Sequence, residues 1–118
     1  RMKDAAWLDR KFHSLRPFDK RCQIEMSGGL NRPPMERSAG IRKLFNTAKD
    51  IAARELAIAI EESSTGGGSD GNFTAGLGVP TLDGLGGVGE GAHAANESIL
   101  VNRIADRTAL LALLMATL

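Results

Sequence analysis

Two stretches of the chain carry residue types that could do chemistry. The first is "GEGAHAANES", where His93 follows a run of glycines; the chain has one other histidine, His13. An imidazole can hold a metal or move a proton, and Asp70, Asp83, Glu90 and Glu97 could add oxygen ligands. A catalytic zinc, however, takes about three protein ligands plus a water, and one histidine with scattered carboxylates falls short of that. Glu97 is one helical turn beyond His93. From there it can orient the imidazole or favour the start of the last helix through its dipole, and the spacing supports both equally. A histidine that merely caps the next helix is the plainer alternative for His93.

The second stretch is "TGGGSDG". Eleven of the 14 glycines fall between Gly66 and Gly91. Glycine permits positive φ and close backbone approach to a bound group, and free N–H groups at a helix start favour an anion. Gly66, Gly68 and Gly71 also satisfy G-x-G-x-x-G, the dinucleotide fingerprint. The helix that should follow is cut short by Gly76, Gly78 and Pro80, and Glu90 lies in a loop well past the next strand, although Asp83 is closer, so a nucleotide site is the weakest of the readings.

These stretches need elements to position them. "KDAAWLDRKFHSL" predicts a helix capped by Asp4, with Ala5, Leu8, Phe12 and Leu15 on one face. "CQIEMSG" alternates Cys22, Ile24 and Met26 with polar residues, as in a half-buried strand. Pro33-Pro34 suits a helix start, and Ile41, Leu44, Phe45, Ala48, Ile51 and Ala52 form an apolar stripe. "LAIAIEE" predicts a strand covered on both faces, and "VPTLDGL" a second, with a short helix from about Asn72 to Leu77 between them. Strand, crossover helix and strand make a parallel, right-handed unit. Ile99 to Leu118 predicts a long helix with Leu100, Ile104, Leu111, Leu114 and Leu118 near one side. The expected class is α/β. In an open parallel sheet, ligands bind beyond the carboxyl ends of the strands, where both glycine loops converge.

Bulk properties exclude several functions. The chain has 118 residues, which allows at most one domain or a piece of a larger one. A net charge of +1 without a basic block, few aromatics and no tyrosine argue against nucleic acid. Cys22 is the only cysteine, so no internal disulfide or thiolate cage can form. "LLALLMATL" is too short to span a bilayer, and no membrane association is expected. No signal peptide is visible, but the chain begins mid-pattern without Met, so a cytoplasmic location is only the default expectation.

"TGGGSDGNFTAGLGVPTLDGLGGVGEGAHAANESI" resembles the C-terminal catalytic segment of the M20 family of di-zinc peptidases, closest to its glutamate-carboxypeptidase-like branch. The "GGGSD" turn, the "GVPTLDGLG" strand and the "GAHAANE" loop match in order and spacing. With "NRPPMERSAG" before them, the resemblance covers essentially the whole chain. It implies the C-terminal part of an α/β catalytic domain over residues 31–118, with parallel strands and helices packed on the sheet. Residues 1–30 would be the last helix and strand of the lid domain, often the dimer interface, so a homo-oligomer is expected. It also implies two zinc ions per complete site, His93 ligating one of them. Arg32 would hold the substrate carboxylate, a task suited to a guanidinium fork, and Gly67, Gly68 and Ser69 would line the substrate pocket. Substrates would be peptides or N-acyl amino acids with a free carboxylate, their amide cleaved by a metal-activated water and a general-base glutamate. That glutamate and the other metal ligands belong to segments upstream of those present here. The chain alone is therefore expected to be inactive and to contain no catalytic residue. A non-catalytic, self-associating chain is the rival expectation.

Overall fold

A computed structural model describes residues 1–118. It contains four α-helices, α1 (Met2–His13), α2 (Ala39–Glu55), α3 (Gly71–Gly76) and α4 (Ile104–Thr117), and two short strands, β1 (Gly89–Glu90) and β2 (Ser98–Ile99). The chain divides into two compact units, one formed by residues 1–36 with 68–79, the other by 37–67 with 80–118.

The second unit holds every buried side chain. Ala48, Ile51 and Ala52 of α2 meet Leu110 and Leu114 of α4, with Leu56, Ile58, Ile60, Leu82, Leu85 and Leu113 packed around them. Of the stripe expected on α2, Ala48, Ile51 and Ala52 face this core, whereas Ile41, Leu44 and Phe45 are half-buried outside it. The helix starts later than Pro33-Pro34 suggest: Ser38 is its cap, its hydroxyl accepting the Ile41 N–H at 3.2 Å. Pro33 and Pro34 lie before it, outside any regular element. On α4 the buried face is Leu110 and Leu114, whereas Ile104, Leu111 and Leu118 are exposed, and Leu100 precedes the 3₁₀ turn Val101–Arg103. "ALLALLMA" is apolar on nearly every side, so its periodicity cannot choose a face. Arg107 chooses it: Nε donates to the Gly86 carbonyl at 3.0 Å and the terminal nitrogen donates to that of Gly84.

The expected parallel sheet is not formed. Residues 56–62 and 79–85 are not strands, and the only ladder is antiparallel, pairing Gly89 with Ile99 and Glu90 with Ser98. In the first segment Leu56, Ile58 and Ile60 alternate with exposed Ala57 and Ala59, so one side meets the core and the other meets no cover. An apolar run specifies burial, whereas a strand also needs a neighbour for its backbone groups, and these segments do not pair with each other. Arg37 fastens the far end of the segment, Nε and a terminal nitrogen donating to both Glu62 oxygens at 2.6 and 2.8 Å. These bonds hold the Glu62 carboxyl below its ordinary value of 4.5. A depressed folded-state value means that the contribution is whole above the unfolded value and is lost as pH falls through the folded one. In urea titrations, Glu62→Gln should unfold earlier than the parent at neutral pH. The difference should close on acidification past the folded-state value.

In the first unit, α1 begins at Met2, and Asp4 is in its first turn rather than at the cap. The expected face of α1 is uncovered, Leu8, Phe12 and Leu15 being exposed. Residues 22–27 form no strand: Cys22, Ile24 and Met26 are all exposed, since no second strand lies beside them. The short helix is as expected to within a residue. Its N-terminal turn is a reciprocal arrangement: Ser69 N–H donates to Asn72 Oδ1 at 2.8 Å, and Ser69 Oγ accepts the Gly71 N–H at 3.1 Å. Asn72 Nδ2 then donates to the Pro33 carbonyl at 2.8 Å, and the Pro33 ring covers Gly76, where a Cβ would collide with it. This joins "NRPP" to "SDGNFTAG".

No helix is long and apolar enough to cross a membrane.

Candidate functional site: an arginine seat and a histidine loop

Arg32 is placed by that junction. Its Cδ lies 3.3 Å from where a Gly68 Cβ would sit, so the absent side chain makes room for the arginine stem. The guanidinium carbon is 5.0 Å from the centre of the Phe73 ring, within cation–π range. One terminal nitrogen is 3.4 Å from Asp70 Oδ1, too far for a charge-assisted hydrogen bond. The guanidinium makes no hydrogen bond. A delocalised cation held by packing, with its donors unspent, can receive a planar anion such as a carboxylate.

Of the residues expected to line a substrate pocket, Gly68 and Ser69 are in the same unit as Arg32, and Gly67 is at the end of the other. Three backbone donors of this turn are engaged locally. Gly67 N–H donates to Thr65 Oγ1 at 3.2 Å, and those of Ser69 and Gly71 are taken as above. A pyrophosphate cradle needs such donors free, and α3 has only 6 residues. Of the three motif glycines, Gly68 is a packing residue beside Arg32 and Gly71 is part of the turn into α3. Phe73 and Asn72 are the members of this cluster that the sequence did not single out, whereas Asp70, considered above as an oxygen ligand, stands beside Arg32 instead. Asn72 had a signal, being an amide three residues after a serine, the pattern of a reciprocal helix cap.

His93 lies in the second unit, in a loop closed by β1 and β2. Gly89 allows that closure, since any Cβ there would collide with the Ser98 carbonyl. Leu100 N–H donates to the Val88 carbonyl at 2.8 Å, continuing the ladder. Inside the loop, Ala94 N–H donates to the Gly91 carbonyl at 2.8 Å and Glu97 N–H to that of Ala94 at 3.1 Å. His93 has a φ of 66°, unusual for a residue with a side chain. Its backbone N–H donates to Glu97 Oε2 at 3.2 Å. Glu97 therefore ties down the backbone of His93 rather than its ring. Helix α4 begins only at Ile104, so neither Glu97 nor His93 acts on a helix start.

Beside the loop is an open hollow of about 240 Å³ lined by Gly87, Gly89, Glu90, Gly91, Ala92, Glu97, Ser98 and Ile99. No three histidine, cysteine or acidic side chains are grouped so as to hold a metal ion. His93 can supply one ligand to such an ion.

A family model, Peptidase family M20/M25/M40, matches residues 12–117. The chain therefore belongs to this family of metal-dependent hydrolases. Searches of curated proteins and of solved structures returned no match.

Proposed function

We propose that this chain is the C-terminal segment of a carboxypeptidase- or deacylase-type M20 enzyme that cleaves peptides or N-acyl amino acids bearing a free carboxylate. The observation that carries the proposal is the Arg32 guanidinium, seated on Phe73 against Gly68 without a hydrogen bond of its own. Arg32 binds the substrate carboxylate in this reading, and Gly67, Gly68 and Ser69 shape the wall around it. His93 is one ligand of a two-zinc site whose remaining ligands and general base come from upstream residues. Glu97 fixes the histidine through its backbone. Residues 1–30 belong to a lid domain through which copies pair, and residues 31–118 to the catalytic domain. The one-sided burial of residues 56–60 leaves a side open for a further layer of the catalytic domain. Alone, the chain is inactive.

The test is the coding sequence immediately upstream. An in-frame H-x-D motif followed by a Glu-Glu pair is expected, and a native start at Arg1 with nothing before it would contradict the proposal. A second reading, a non-catalytic chain that associates with itself, is favoured by the apolar side chains left in solvent, among them Trp7, Phe12, Phe18 and Leu77.

A further inference from the structure

We infer that Arg32 is an internally occupied carboxylate seat: Phe73 is the positioning residue that holds the guanidinium, and Asp70 is a tethered carboxylate that competes with the ligand for it. This rests on the reading of Arg32 as a carboxylate binder.

The geometry separates the two roles. The Arg32 side chain is 39% exposed, with Gly68, Asp70 and the Phe73 ring beside it. Asp70 is 95% exposed, and its side chain makes no hydrogen bond. Only charge keeps Asp70 beside the arginine, at 3.4 Å, and exposed pairs of this kind are weak. The contact with Phe73 is of a different kind. Desolvating one side of the cation against an aromatic face restricts its rotamers while leaving every N–H free to donate. Asp70 and Phe73 stand on one short element, braced by the Ser69–Asn72 and Asn72–Pro33 hydrogen bonds. Platform and competitor are thus held in a fixed relation to each other. An incoming carboxylate meets an oriented donor set whose resident anion can swing into water at little cost. Asp70 lowers affinity for any carboxylate, and Phe73 raises it.

The chain, with its arginine side chains labelled with nitrogen-15, is titrated with N-acetylglycine and separately with its methyl ester. The Arg32 Nε–Hε resonance and the Gly68 amide are followed by NMR. The acid is expected to shift both, and the ester neither. Asp70→Asn should bind the acid about threefold tighter. Phe73→Leu should bind it about threefold more weakly, with Phe73→Trp restoring binding. Unchanged α3 amide shifts in the leucine variant separate lost positioning from lost folding; altered shifts pass the decision on Phe73 to the tryptophan variant. If Arg32→Gln abolishes binding but either Asp70→Asn or Phe73→Leu matches the parent, the inference is overturned and the carboxylate reading stands. If Arg32→Gln binds as the parent does, or the parent does not respond to the acid, the reading of Arg32 itself fails.

Discussion

Leu110→Ala is expected to unfold the unit that carries His93 well before the parent chain unfolds. Leu110 is fully buried, and its neighbours Ala48, Ile51, Ala52 and Leu114 are the only other buried side chains. Removing a buried leucine side chain costs about 2–5 kcal/mol, the upper values where neighbours cannot collapse into the space. Two of these neighbours are alanines on a helix, whose methyl groups are fixed to the backbone and cannot swing into the space. Whole domains are stable by only about 5–15 kcal/mol, and a core this small puts the unit towards the low end. In urea titrations followed by circular dichroism, Leu110→Ala should lose most of its transition. Leu111→Ala, on a 42% exposed neighbour, should shift it little. Equal effects would mean that α4 buries a different face.

The second large effect is on recognition. In the complete enzyme, Arg32→Ala should lower kcat/KM about 10- to 100-fold for substrates with a free carboxylate. That is the scale of losing hydrogen bonds to a charged group, about 1.5–3 kcal/mol, at 1.36 kcal/mol per factor of ten. The methyl esters of the same substrates present no anion, so they should lose little. The contrast matters because Arg32 also packs against Gly68 and Phe73, and a merely structural role would affect acid and ester alike. Equal losses would remove Arg32 from carboxylate binding.

The sequence was most legible where the cause of structure is local. The stripe on α2 follows from helical spacing, and the short α3 from the glycines and Pro80 that stop it. The two segments expected as parallel strands were read from apolarity, which reports burial rather than pairing. Leu56, Ile58 and Ile60 do turn inward, yet their backbone has no ladder beside it in this chain. The face of α4 was illegible because "ALLALLMA" offers several, and Arg107 decides through carbonyls distant in sequence. The antiparallel closure under His93 was missed for a related reason. Its strands are two residues each, and Gly89 permits the pairing by lacking a side chain, which leaves no period to detect. At Arg32, the resemblance pointed to the arginine, whereas its Phe73 platform and the place of Asp70 beside it required the fold.

The central claim is that His93 belongs to a metal site this chain does not complete. A zinc titration of the chain at neutral pH tests it most directly, with His93→Ala as the comparison. The account predicts weak binding, well below one zinc per chain, which His93→Ala abolishes. Tight one-to-one binding would contradict it, since that needs a full ligand set among these 118 residues.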